Sequence, residues 1–314
     1  MLTQNFVNAD ESVIQINFGL CSLKIKVFDD FMIESLVDVA RIFDVQRESG
    51  ANKQGYNLTV ISTCPDSIMD PRLSAIGHSW IIARQALKKS GQAGLDAWRN
   101  LYKFCTPVNP EIFLFKDNAG NSNDYLCFHP TDTLETPGHP SWWIIRAIEA
   151  LGVHWHVMHG GGPLHASGVD RKGEGFLFLG ESGAGKSTVA QLSKQAHGVI
   201  VHDDQVMLGL TGGHYLLSHP GSRVTPPLRG IFLLRQSDSD RIVRLTPQAT
   251  GAGLARSLQQ YAINQYLYGP WVENAFHNIV NVARDIPGYE LHFRKSPDFW
   301  KVIDAEFGDR VNQA

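Results

Sequence analysis

Only four cysteines occur in the 314 residues, Cys21, Cys64, Cys105 and Cys127, and they form no CxxC pair. That scarcity argues against a disulfide scaffold in a chain too large to need staples, and reduced thiols in a cytoplasmic protein are expected. Charge is sparse too. Charged residues make up 19%, the net charge is −3, and no long basic run occurs. Electrostatics therefore give no reason to expect a nucleic-acid partner. No apolar run approaches the ~20 residues that span a bilayer, so no membrane partner is expected. The start, Met1-Leu2-Thr3-Gln4-Asn5, lacks the basic patch before an apolar core that marks a signal peptide. Internal repeats and low-complexity segments are absent. What remains is a chain with 43% hydrophobic residues and enough length for two globular domains.

The first part of the chain reads as α+β. Apolar and polar residues alternate over 12–28 on both sides of Gly19, which predicts a hairpin. Helical spacing follows from Met32 to Phe43 and again from Asp96 to Phe104, and Asn57 to Ser62 predicts a strand. Ile112 to Phe115 and Tyr125 to Phe128 flank a polar turn and predict a second hairpin. No chemical motif stands in this region. The Thr-, Pro- and Gly-rich stretch from Thr131 to Pro140 marks a domain boundary, placing an N-terminal domain at 1–135 and a C-terminal domain at 136–314. Helical spacing resumes at Ser141 and is stopped by Gly160-Gly161-Gly162-Pro163.

The chemistry begins at Phe176-Leu177-Phe178-Leu179, a short apolar run suited to a buried strand. Gly180-Glu181-Ser182-Gly183-Ala184-Gly185-Lys186-Ser187 follows, and helical character runs from Ser187 to Ala196. Strand, glycine-rich loop and helix are the context of a P-loop. Its glycines let successive N–H groups turn toward phosphate oxygens, and the helix start adds partial positive charge. In such a loop Lys186 reaches the β- and γ-phosphates of ATP, Ser187 offers an oxygen to Mg²⁺, and Thr188 adds a phosphate or capping contact.

A second apolar run, Val199-Ile200-Val201-His202, ends in Asp203-Asp204. On a strand, both carboxylates would stand at its C-terminal end beside the loop. One could hold Mg²⁺ and the other could accept a proton from an attacking hydroxyl. A solvated Asp-Asp turn would read the same way.

Spacing links these pieces. Asp203 and Asp204 fall seventeen and eighteen residues after Lys186, and His165, in Leu164-His165-Ala166-Ser167-Gly168-Val169, falls fifteen before Gly180. In all three elements the chain resembles the HPr kinase/phosphorylase family, whose P-loop core is related to that of ATP-dependent phosphoenolpyruvate carboxykinase. The resemblance covers roughly residues 160–304. It implies an α/β P-loop kinase core beside the N-terminal α+β domain. It also implies Lys186 as the ATP-phosphate lysine, Ser187 and Asp204 as Mg²⁺ ligands, Asp203 as general base and His165 near the phosphoryl-transfer site. Arg229, in Leu228-Arg229-Gly230-Ile231, matches a short Arg-Gly segment of the family, and Arg223 is a further candidate for γ-phosphate charge. The chain departs from HPr kinases at Thr188, where those enzymes usually carry Glu, and in its N-terminal region. The reaction so implied is ATP-dependent phosphorylation of a hydroxyl, a serine of a protein or peptide. The alternatives are a small-molecule kinase and a nucleotide-regulated binding module without transfer. The expected partner is a protein, peptide or small-molecule acceptor, and a homo-oligomer is compatible with the sequence.

Other conspicuous residues read as structural. His154, His156 and His159 lack a further metal ligand and are expected as polar helix positions. Trp142, Trp143 and Trp155 are expected in packing, and Tyr289 to Arg294 as a final strand with Arg294 at its end.

Overall fold

The structure, a computed structural model, describes six strands between Ser12 and Pro130, then residues 149, 152–219, 222–264 and 270–308. Two compact units divide the chain, and they meet in sequence between Leu151 and Gly152. The boundary expected near 131–140, the helices expected at 32–43 and 96–104, and Trp142 and Trp143 lie outside the described residues.

The first unit holds one six-stranded sheet in the order β1-β2-β3-β6-β5-β4. β1 (Ser12–Phe18) and β2 (Cys21–Val27) are neighbours, as the alternation about Gly19 predicts. β3 (Gly55–Thr63) runs parallel to both β2 and β6 (Asp124–Pro130). β5 (Ile112–Lys116) pairs antiparallel with β6 and with β4 (Thr106–Asn109), so the second predicted hairpin is present.

The second unit is built on a six-stranded sheet in the order β10-β8-β9-β13-β15-β14 and a three-stranded sheet in the order β12-β11-β7. β9 (Glu174–Leu179), β13 (Leu228–Gln236) and β15 (Gly288–Phe293) are parallel and central. β8 (Ser167–Arg171) is antiparallel to β9, and β10 (Val199–His202) to β8, so β10 runs in the direction of β9. β14 (Arg241–Arg244) closes the far edge antiparallel to β15. The small sheet pairs β11 (Gln205–Thr211) antiparallel with β7 (Gly162–His165) and with β12 (His214–Ser218).

Helices cover both faces of the larger sheet, which is why β9 reads as an unbroken apolar run. Phe176 and Phe178 point to one face, packed with Phe232, Tyr289, Phe293 and Trp300. Leu177 and Leu179 point to the other, packed with Leu164, Leu254, Leu258 and Ile279. The first face is covered by α1 (Lys186–Gln195) and α4 (Phe299–Gly308), and the second by α2 (Pro247–Asn264) and α3 (Pro270–Asp285). α2 starts on a side-chain cap: Ala249 N–H donates to Thr246 Oγ1 at 3.2 Å, and Pro247 occupies the first helical position, where a missing N–H costs nothing. α1 differs, because no side chain caps its start. Among the described residues no helix is long and apolar enough to cross a membrane.

Candidate functional site

β9 delivers the chain to the loop 180–185 at the C-terminal end of the parallel strands, the end where open α/β sheets place their ligands. The loop turns on two left-handed glycines, Gly183 at φ 80° and Gly185 at φ 104°. At Gly185 a side chain would be both strained and crowded, since a Cβ there would stand 2.8 Å from Phe293 Cζ. Immediately afterwards α1 begins at Lys186. The Lys186 ammonium folds back and donates to the carbonyls of Gly180 at 2.8 Å and Glu181 at 3.3 Å. Only 7% of this residue is exposed. Burial lowers its pKa, and the Asp204 carboxylate opposes the shift.

His165 and Asp204 meet through the small sheet. The register of β7 on β11 sets His165 opposite Gln205, and Ala166 N–H donates to the Asp204 carbonyl at 3.1 Å. Their side chains then close to 3.1 Å, His165 Nδ1 to Asp204 Oδ1. Burial and the nearby Lys186 charge push the His165 pKa down, against Asp204, so the neutral imidazole is favoured. A neutral ring that touches a carboxylate through Nδ1 carries its proton there and leaves Nε2 as an acceptor. From below, Ser257 Oγ of α2 donates to the His165 carbonyl at 2.9 Å.

Three sequence elements thus form one electrostatic cluster of Lys186, His165 and Asp204. Asp203 sits half-buried at the same turn, beside His202, whose pKa it raises against a larger lowering by burial. Ser187 is exposed and Thr188 half-buried in the first turn of α1. Glu181 and Ser182 are exposed on the loop, and Ala184 packs against the aromatic core.

Two partners of the loop carry no motif. Gln236 Nε2, at the end of β13, donates to the Gly183 carbonyl at 2.9 Å. Arg256 of α2 stands 3.7 Å from the Glu181 carboxylate. Both line a cleft of about 460 Å³ beside residues 180–184, which Arg235, Gln260 and Glu290 also border. Helical spacing from Gly253 to Gln260 gives an amphipathic helix, but nothing in it says which loop Arg256 will face.

The other arginines divide. Arg229 pairs with Glu174 at 2.9 Å, at the start of β9, so it lies at the opposite end of that strand from the loop. Arg294 follows β15 at the loop end but is held by Asp240 at 2.6 Å. Arg223 is exposed between β12 and β13. Among the described residues no group of three or more His, Cys, Asp or Glu is gathered around a metal position. His156 is instead a buried structural residue, its ring bonded to the Gly152 carbonyl at 2.6 Å and to Ser218 Oγ at 2.7 Å. Trp155 is buried and stacks on His159.

The family model described as "ScmC: SynChlorMet cassette protein ScmC" matches residues 142–308, more than half of the chain. The chain belongs to the ScmC family. The ScmC match spans the loop, the His165–Asp204 contact and all four labelled helices. No curated protein matches the chain. The structure of the Hpr(Ser) kinase/phosphatase from Coxiella burnetii is similar to this ScmC chain over 27% of its residues and 71% of that chain, at 14% identity and a TM-score of 0.22.

Proposed function

We propose that this unit is an ATP-dependent phosphotransferase that moves the γ-phosphate to a hydroxyl, a serine of a protein or peptide. The observation that carries the reading is the convergence of Lys186, His165 and Asp204 at the end of β9, from three places in the chain. An Asp-Asp surface turn would have no reason to face a buried lysine of a glycine loop.

The residues fit a triphosphate and a magnesium ion. The loop carries an uncapped helix start, and its lysine turns inward onto loop carbonyls that phosphate oxygens could replace as partners. Ser187 and Asp204 would hold Mg²⁺, which commonly takes one or two protein carboxylates and completes its shell with phosphate and water. When bound, the ion supplies charge neutralisation of the phosphoryl oxygens. Lys186 adds fixed positive charge to the β- and γ-phosphates from a site where burial strengthens it. Asp203 takes the proton of the acceptor hydroxyl as that oxygen attacks in line.

One observation favours a second assignment of the proton. The His165 imidazole is oriented by Asp204 and kept neutral, which suits Nε2 to accept the hydroxyl proton in place of Asp203. Incubation with γ-labelled ATP and a panel of serine peptides, free serine and sugars tests the function. Label transfer supports it. Tight ATP binding with no transfer to any acceptor pool would favour the nucleotide-regulated binding module.

A further inference from the structure

His202 ends β10, and the chain must turn at once to enter β11 at Gln205. Two amides of that turn converge on a single atom. Asp204 N–H donates to His202 Nδ1 at 3.2 Å and Gln205 N–H donates to the same nitrogen at 2.9 Å. An acceptor at one position that receives the N–H groups two and three residues on is the job of an Asn or Asp side chain in an Asx turn. Here an imidazole does it. The ring is clamped from its other side, stacked on His219 with centroids 3.8 Å apart and planes at 21°. The register of β10 on β8 shifts between Ile200 and His202, an irregularity of the kind that re-aims a side chain at a strand end.

We propose that His202 is a positioning residue for the phosphoryl-transfer site: its Nδ1 lone pair fixes the Asp203–Asp204 turn and so holds the Asp204 carboxylate against His165. The inference rests on the reading that Asp204 binds the metal. Asp204 needs such a support because its side chain is 55% exposed, so packing does little to set its direction. Its backbone is held from two sides, by the Ala166 N–H on its carbonyl and by His202 on its own N–H. Outer partners that orient a metal ligand typically matter by ~10- to 100-fold in metal affinity.

Two substitutions separate the acceptor from the ring. His202→Phe keeps a ring to stack on His219 but removes the acceptor. His202→Asn removes the ring but returns an oxygen at the position of Nδ1. The full chain is titrated with Mn²⁺ in the presence of a non-hydrolysable ATP analogue, with binding read by electron paramagnetic resonance, and Asp204→Asn serves as the reference. The expected result is Mn²⁺ affinity ~10-fold weaker in His202→Phe, within about threefold of the parent in His202→Asn, and weakest in Asp204→Asn. Loss in Asp204→Asn with parent-like His202→Phe overturns the role of His202 and leaves the metal reading standing. Equal loss in His202→Phe and His202→Asn shows that returning an acceptor does not restore the site, which also overturns it. An Asp204→Asn variant that binds Mn²⁺ like the parent overturns the metal reading and this inference together. Should His202→Phe fail to fold, His202→Ala, which lacks both ring and acceptor, takes its place: affinity within about threefold of the parent overturns the proposal, and a loss that His202→Asn recovers supports it.

Discussion

His165 Nδ1 stands 3.1 Å from Asp204 Oδ1, although the whole glycine loop, α1 and β10 lie between them in the chain. The contact makes His165 part of the same unit as the acidic turn, so its loss should act on transfer more than on nucleotide binding. His165→Ala is expected to leave Mg·ATP affinity within a few-fold of the parent and to lower phosphoryl transfer by ~10²-fold or more. Single-turnover kinetics with labelled ATP, together with calorimetry, measure the two separately. Equal turnover at matched folding would remove His165 from the site.

Lys186→Ala should have the opposite signature. Its ammonium is the buried cation of the loop, already aimed at the carbonyls of Gly180 and Glu181. Charge-assisted contacts to phosphate are the strong class of hydrogen bond. The expected loss of Mg·ATP affinity is ~10²-fold, read by calorimetry. An unchanged affinity would sink the nucleotide-loop assignment.

Much of the second unit was legible because its signals are local. Phe176 to Leu179 reads as a buried strand because both faces of β9 are covered, and Gly180 to Gly185 reads as a loop because Gly183 and Gly185 take left-handed angles. His165 and Asp204 were candidates through the family resemblance that their spacing carries, and the structure sets their side chains 3.1 Å apart. The partners that meet by tertiary packing were not legible. Arg256 reaches Glu181, and Gln236 reaches Gly183, only through the docking of α2 and the crossover to β13. Arg229 is the converse case, open in the sequence between a site residue and an ordinary arginine at a strand start. Its short sequence match suggested a site residue, yet the direction of β13 carries it to the other end of the sheet, where it pairs with Glu174.

The two carboxylates of the turn are expected to separate in function. Asp203→Asn should leave Mg·ATP affinity within a few-fold while transfer falls by ~10²–10⁴, the usual contribution of a positioned base. Asp204→Asn should weaken the Mg²⁺ dependence and nucleotide affinity instead. If Asp203→Asn transfers at the parent rate while His165→Ala does not, the proton goes to His165.

Gly185→Ala tests the loop geometry without reference to any ligand. The position needs φ 104°, and an added Cβ would meet Phe293 Cζ at 2.8 Å. Strain of this kind is expected to lower stability by about 1–3 kcal/mol. Gly183→Ala shares the positive φ but has open space around it, so it should cost about 1 kcal/mol. Urea unfolding of the three proteins gives the order parent, Gly183→Ala, Gly185→Ala. A reversed order would mean that the ring of Phe293 does not close on the loop.

Stability should also fall on acidification, and buried histidines set the window. Burial lowers the pKa of His156 from 6.5 to about 4, and burial with the nearby His202 lowers that of His219 to about 3. In the unfolded chain both titrate near 6.5. Above that pH both states are neutral and the native state keeps its full stability. As the pH drops below 6.5, the unfolded state takes up protons that the folded state refuses, so stability declines until the folded pKa values are reached. For His156 alone the loss at pH 5 is about 2 kcal/mol, since each unit of pKa difference is worth about 1.4 kcal/mol. His202 and His165, lowered in the same direction, add to the slope. His156→Gln keeps one donor and one acceptor for Gly152 and Ser218 but cannot take up a proton. It should therefore unfold less steeply with falling pH than the parent, whatever its stability at pH 7.5. Chemical denaturation of both proteins between pH 7.5 and 5 measures the two slopes. Identical slopes would mean that His156 is protonated in the folded state and that its Nε2 does not accept from Ser218.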